Sequence, residues 1–198
     1  MSVVYRIFED IHITIDAKYK TDVEGLDENL KRTLKEDFKK ACLENSFISV
    51  SFTTGNFPRP LRMGFIQRRV KEVLSLFIPH ELLLHDVCIA IEEATSNIVE
   101  HSYEGMEHPL MEFRFSLYSS KIVITIDDFG ERGRQFKLED NGKYNSHNEL
   151  KSTVSKSKGG IGLYLIRKIM DDVRYEAHPG EYNRIIMVKN YGSGYLSE

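Results

Sequence analysis

The stretch from Asp86 to Tyr103, DVCIAIEEATSNIVEHSY, constrains the fold of this chain more than any other. Its apolar residues recur along one side at helical spacing, which predicts an amphipathic helix. Glu93, Asn97 and His101 follow one another at intervals of four residues, so a helix places them in one row. Burying an unpaired carboxylate or carboxamide costs about 1–3 kcal/mol. This polar row therefore requires a partner, which the protein, water or a ligand could supply.

Composition excludes several classes of protein. The 198 residues suit one domain of ordinary size, and 41% hydrophobic residues are enough for a full core. With 27 basic and 30 acidic residues, a broad basic field for nucleic acid is not expected. Cys42 and Cys88 show no CxxC spacing, which favours reduced, buried thiols in a cytoplasmic protein. Neither a signal peptide nor an apolar run long enough to span a membrane is expected.

Hydrophobic periodicity predicts a mixture of strands and helices. Strands are expected near 11–15, 47–53, 110–117, 121–127, 173–177 and 184–188, and helices near 24–45, 61–77, 79–103 and 163–170. Short turns join several neighbouring strands, which favours antiparallel pairing. The predicted fold class is α+β, a two-layer sandwich of helices on a mainly antiparallel sheet.

Two regions of the chain differ from this core pattern. Residues 1–46 are predicted to be an N-terminal strand–helix extension, and residues 47–198 the main domain. The helix near 24–45 is apolar on one face and charged on the other. It fits either a helix docked on the domain or a helix that binds a partner or dimerises. The polar segment at about 131–158 is long enough to be a functional lid or a disordered loop.

Three short segments carry side chains suited to a nucleotide. Asn97 can hold one face of a Mg²⁺ ion, and Glu93 beside it can accept a proton from an attacking hydroxyl. Asp128, at the end of a β-branched strand, can accept a hydrogen bond from an exocyclic amine, and Gly130 allows close approach of a ring. Each pair has an ordinary structural alternative, because helical ExxxN and Asp-x-Gly turns are common.

The third segment is Gly159-Gly160-Ile161-Gly162-Leu163, which opens a helix. Glycines there leave backbone N–H groups free to bind an anion such as phosphate. The segment is neither a Walker motif nor the dinucleotide-binding GxGxxG. Alone it fits a plain helix start as well as a phosphate site.

In this order and on these elements, the segments resemble the GHKL ATPase superfamily and its Bergerat ATP-binding fold. Within that superfamily, NIVEHSY and GGIGLYLIRKIMDDVRYE are similar to the anti-sigma factor serine/threonine-protein kinases of bacterial partner switching. The resemblance covers about residues 47–191. One departure is that the glycine box usually written DxGxG has Arg132 at its fifth position here, followed by Gly133.

The resemblance implies a role for each matching residue. Glu93 corresponds to the general base, Asn97 to the Mg²⁺-holding asparagine and Asp128 to the adenine-binding aspartate. The other residues implied to contact the nucleotide are His101, Gly130, Lys158, Gly159, Gly160, Ile161, Gly162 and Leu163.

The function implied is ATP- and Mg²⁺-dependent phosphorylation of an anti-anti-sigma (STAS-domain) protein. A sigma factor is implied as a second partner, and a homodimer is compatible with the family. Direct contact with nucleic acid or membrane is not implied. A nucleotide-gated binding module with little kinase activity is the main alternative, although Glu93 argues against it. A histidine-kinase catalytic domain and a free-standing ATP hydrolase fit the sequence less well.

Overall fold

A single antiparallel sheet organises the molecule. The structure, a computed structural model, describes residues 3–8, 11–15, 28–43, 47–54, 63–103, 110–130 and 160–192. Within them, seven strands pair in the order β1-β2-β3-β4-β5-β7-β6. Their bounds are β1 Val3–Phe8, β2 Ile11–Ile15, β3 Ile48–Thr53, β4 Met111–Leu117, β5 Lys121–Asp128, β6 Asp172–His178 and β7 Tyr182–Asn190. The helices described are α1 Glu28–Leu43, α2 Met63–Leu74, α3 Glu81–Ser102 and α4 Gly160–Ile169.

One face of the sheet carries the core. In β5, Ile122, Ile124 and Ile126 are fully buried, whereas the residues between them are partly exposed. Successive side chains of a strand point to opposite faces, so this alternation identifies the face that the helices cover. Asp128 continues the buried series, and its ladder partner on β7 is Asn183. The end of β5 therefore directs a carboxylate toward the helical layer.

Helix α3 lies in the helical layer with α2 and α4 packed against it. Its buried side comprises Val87, Ala90, Ile91 and Ala94, which pack on the sheet. The helix begins after Pro79 because His80 caps it: Nδ1 of His80 accepts a hydrogen bond from the N–H of Leu83, at 3.3 Å. The cap satisfies one of the backbone donors that a helix start leaves free.

The predicted fold class is confirmed, and every predicted strand and helix has a counterpart within a few residues. Sequence reasoning missed β1, which pairs with β2 as an antiparallel hairpin. Its sequence VVYRIF lacks the strict apolar–polar alternation that predicts β2. The segment 131–158 lies outside the described residues. None of the described helices is long and apolar enough to cross a membrane.

Helix α1 is docked on the domain. Leu34, Phe38 and Ala41 are buried, and the ring of Phe38 meets that of Phe77 edge-on at 5.5 Å between centroids. Of the two interpretations of this helix, docking accounts for its apolar face. Its charged face remains at the surface.

Candidate functional site

The first part of the site forms where α4 begins beside the middle of α3. Glu93 and Asn97 lie one turn apart on α3, and both are partly buried. They face the backbone of Gly162 in the first turn of α4. A Cβ atom at Gly162 would lie 2.7 Å from Oε2 of Glu93 and 3.2 Å from Oδ1 of Asn97. The glycine thus allows two oxygen-bearing side chains to reach the start of a helix, where free N–H groups attract anions.

The second part of the site is the carboxylate of Asp128, which is 2% exposed. Its Oδ2 accepts a hydrogen bond from the hydroxyl of Ser102 at 2.5 Å and from Nδ2 of Asn183 at 3.4 Å. Its Oδ1 accepts the backbone N–H of Gly130 at 2.8 Å. Donors from a helix, a neighbouring strand and the chain just after β5 therefore fix its orientation.

Asp127, the neighbour of Asp128 in the sequence, is not part of the site. Its carboxylate pairs with Arg184 through two hydrogen bonds, of 2.5 and 2.8 Å. Since neighbouring residues of a strand point to opposite faces, this pair lies on the side of the sheet away from the helices. Asp128 alone of the two faces α3.

Tyr103 fixes the backbone that carries Asp128. Its hydroxyl oxygen accepts the N–H of Phe129 at 3.0 Å, and the hydroxyl donates to the carbonyl of Leu110. Burial raises the pKa of Tyr103 far above its usual value, and the charge of Asp128 raises it further. The phenol therefore stays protonated and keeps both hydrogen bonds at any physiological pH.

A cleft joins the two parts. Its polar lining includes Asn97, Ser102, Asp128 and Asn183, and its apolar lining includes Ala94, Ile98, Ile126, Leu163, Ile166 and Ile185. A mostly apolar cleft with a few convergent polar groups is the usual form of a small-molecule site. The volume of this cleft is about 20 Å³, so a flat ring could enter only after its apolar walls move apart, and the buried carboxylate would then meet a donor on the edge of that ring.

Comparison with known proteins agrees with this geometry. Residues 58–189 match the family model of the histidine kinase-like ATPase domain. The chain belongs to the histidine kinase-like ATPase family. This match includes α2, α3, α4 and β4 to β7, and therefore every described element of the cleft.

Two relatives of this ATPase domain are serine-protein kinases named RsbW. The chain is 31% identical over 98 residues to the protein of Bacillus subtilis, covering 49% of this chain and 59% of the relative. It is 33% identical over 127 residues to that of Bacillus pumilus, covering 62% and 75%. The chain thus spans less than two thirds of the length of the Bacillus subtilis relative.

The fold also recurs in a solved structure. A chain in the crystal structure of the SiaB–SiaC complex from Pseudomonas aeruginosa aligns with a TM-score of 0.53 and 14% identity. The alignment covers 80% of this chain and 99% of that one. At this identity, the likeness concerns the fold.

Most residues predicted for the site of this ATPase domain lie around the cleft. The cleft is lined in part by Asn97, Asp128 and Leu163. Glu93 and Asn97 lie beside Gly162, and Gly130 lies beside Asp128. His101 lies on α3 one turn beyond Asn97, and Gly160 and Ile161 are the first residues of α4. Lys158 and Gly159 lie outside the described residues, as do Arg132 and Gly133.

Sequence reasoning missed Ser102 and Asn183. Ser102 lies five residues after Asn97, at the C-terminal end of α3, so the four-residue row did not include it. A serine at the end of a helix gave no separate signal. Asn183 meets Asp128 only because β5 and β7 pair in this register. No local pattern in the sequence reveals that pairing.

The donor atoms beside Gly162 suit a Mg²⁺ ion better than a metal ion that is held entirely by protein side chains. The described residues contain no group of three or more His, Cys, Asp or Glu side chains that could hold a metal ion. Oε2 of Glu93 and the carboxamide of Asn97, through both its Nδ2 and its Oδ1, nevertheless lie beside Gly162. Mg²⁺ typically takes one or two protein oxygens and completes its octahedron with phosphates and water. The residues present fit that mode of binding.

Proposed function

We propose that the chain is an ATP-dependent serine/threonine-protein kinase and anti-sigma regulatory factor that phosphorylates an anti-anti-sigma (STAS-domain) protein. The observation that carries this proposal is the pairing of Glu93 and Asn97 against Gly162, with Asp128 in the adjoining cleft. The family is one of ATPase domains, and the relatives named RsbW are serine-protein kinases. Residues 131–158 would form the lid of this domain, and residues 1–46 an extension.

Adenine would occupy the apolar cleft with its exocyclic amine donating to Asp128. Ser102 and Gly130 hold that carboxylate by two hydrogen bonds, so it is oriented before the ring enters. Ordering the group in advance lowers the entropy lost on binding. The N–H groups at the start of α4 would face the phosphates, where the helix dipole favours negative charge.

Glu93 would accept the proton of a serine or threonine hydroxyl on the partner protein. It is partly buried beside Gly162, whereas its neighbour Glu92 is exposed. Asn97 would hold Mg²⁺, which neutralises charge on the phosphates when bound. Positioning and charge neutralisation would supply most of the catalysis, as is general for phosphoryl transfer. Lys158 is a candidate lid cation for the terminal phosphate.

The decisive experiment is incubation of the purified protein with labelled Mg-ATP and the STAS-domain proteins of the same cell. Glu93→Ala is expected to lower phosphotransfer by about 10²-fold or more, because the proton acceptor is lost. Nucleotide binding should change little. Glu92→Ala is the matched control: it removes a neighbouring carboxylate that is exposed, and it should transfer phosphate at the wild-type rate.

Each outcome separates the hypotheses. Transfer to one STAS-domain protein that requires Glu93 supports the kinase. Transfer that persists in Glu93→Ala would show that the base is another residue. Tight ATP binding without transfer to any of these proteins would favour a nucleotide-gated module that sequesters a sigma factor or another regulator.

A further inference from the structure

A second cleft lies on the surface, between α1 and the segment that joins α2 to α3. Residues 28–39 of α1 form one side of it, and residues 75–79 form the other. We call it the α1 cleft. Its volume is about 480 Å³, enough for a few large side chains of another molecule. Its lining shares no residue with the cleft that contains Asn97 and Asp128.

The α1 side of this cleft carries four basic residues, three of which form a stripe, and two acidic residues, Glu28 and Glu36. Arg32, Lys35 and Lys39 are spaced at i, i+3 and i+7, which places them on one side of the helix. All three are exposed, and none forms an ion pair with another residue that the structure describes. Lys31 also lines the cleft but is paired with Glu28 at 2.6 Å.

Within the helix, favourable and unfavourable pairs offset one another. Lys35 lies four residues from both Lys31 and Lys39, whereas Glu36 lies four residues from Arg32 and three from Lys39. The stripe does not follow from overall charge, because the chain has a formal net charge of −3. Three exposed basic side chains that form no ion pair with a described residue suit an external anionic partner.

The opposite side of the cleft is apolar apart from Ser75. Pro79 is exposed and Leu76 is partly exposed, so both present apolar surface to an incoming group. Beneath them Phe38 and Phe77 are buried and in contact, and they form the floor of the cleft. A ligand that fits this cleft needs apolar side chains that contact Leu76 and Pro79. It also needs carboxylates that pair with the basic stripe. A small inorganic anion would meet only half of these requirements.

We propose that the α1 cleft binds an acidic, amphipathic helical segment of a partner protein, with its apolar side chains on Leu76 and Pro79 and its carboxylates along Arg32, Lys35 and Lys39. This is the helix-in-groove mode of recognition, with charge complementarity setting the orientation. Helix α1 precedes residues 58–189, which match the ATPase family, so the surface is an addition to the common domain. The inference stands whether or not the chain is a kinase.

The test uses the full chain and a synthetic fluorescent peptide with leucine at i, i+3, i+4 and i+7 and glutamate elsewhere. Binding is measured by fluorescence anisotropy at low and high salt. Lys35→Glu is expected to weaken binding roughly tenfold, because it replaces attraction by repulsion at the centre of the stripe. Lys40→Glu is the matched control, since Lys40 is exposed on the same helix but does not line the cleft. It should bind nearly as wild type.

A second variant tests the apolar side of the cleft independently of charge. Leu76→Ser should weaken binding without changing its salt dependence, and its thermal unfolding is recorded to confirm that it folds. ATP binding, measured in parallel, should be unchanged in all three variants. The proposal is overturned if the peptide does not bind at millimolar concentration, or if Lys35→Glu and Lys40→Glu weaken binding equally. It is also overturned if Lys35→Glu changes the oligomeric mass of the protein, because the cleft would then hold a second copy.

Discussion

At the scale of single residues, the candidate site depends on a close approach between two helices. Gly162 has no side chain, and the space that one would fill is occupied by the ends of Glu93 and Asn97. Gly130 plays a similar part beside Asp128, where a Cβ atom would lie 2.7 Å from the carbonyl oxygen of Ser102. A side chain added at these two glycines would displace different atoms. At Gly130 these are backbone atoms, and at Gly162 they are the flexible end of a glutamate.

We therefore predict that Gly162→Ala separates activity from stability. The new methyl group would displace the carboxylate of Glu93, so phosphotransfer should fall by about 10²-fold. The fold should tolerate the change, because a glutamate side chain can rotate and alanine favours a helix by about 0.5–1 kcal/mol over glycine. Phosphotransfer rate and thermal unfolding of the same sample provide the two measurements.

Gly64→Ala provides the control for that variant. Gly64 is an exposed glycine of α2, and a Cβ atom there would meet no atom within 4 Å. It should leave the rate unchanged. Equal losses of rate in the two variants would mean that the loss at Gly162 comes from a general change in the helices.

At the scale of elements, α1 docks the predicted N-terminal extension on the rest of the chain. It precedes the stretch that matches the ATPase family, yet its apolar side joins the same core. Strands β1 and β2 extend the same sheet, because β2 pairs with β3 from Ile11↔Phe52 to Ile15↔Ile48. The extension and the domain are therefore expected to unfold together.

The variant Phe38→Ala tests this expectation. Phe38 is 5% exposed and packs on Phe77, so removing its ring should lower the free energy of unfolding by about 3 kcal/mol. Urea unfolding should remain one transition, shifted to lower urea, by both circular dichroism and fluorescence. Leu43→Ala, at the exposed end of the same helix, should have almost no effect, since Leu43 is 87% exposed. Two separate transitions would contradict a shared core.

The elements that sequence could predict are those with strong internal periodicity. Helix α3 and strand β5 follow directly from their apolar spacing, and the polar row on α3 identified Glu93 and Asn97 as residues in need of a partner. Contacts between distant segments leave no such pattern. The pairing of Asn183 with Asp128 depends on strand register, and the contact of Gly162 with Glu93 depends on how two helices pack. Gly162 stood out as one of the glycines that open a helix, and the resemblance to a family then assigned it to the nucleotide site.

At the scale of the whole molecule, two partly buried cysteines and two buried tyrosines lie around the core. Burial raises the pKa of Cys88 from 9.0 to about 11, and burial also raises the pKa values of Cys42, Tyr103 and Tyr191. The two tyrosines also donate hydrogen bonds to backbone carbonyls, which a phenolate could not do. The folded state therefore holds the protons of these four groups more tightly than the unfolded state does.

This arrangement predicts loss of stability at alkaline pH. Below the pKa values of the unfolded chain, about 8.5 for cysteine and about 10 for tyrosine, both states are protonated and these groups do not change stability. As pH rises beyond them, the unfolded chain releases protons that the folded chain keeps, so unfolding becomes more favourable. The urea midpoint should therefore be lower at about pH 10.5 than at about pH 8. Tyr191→Phe removes one of these groups, so its midpoint should depend less on pH than that of the wild type. A midpoint that stays constant across this range would mean that these groups ionise freely in the folded protein.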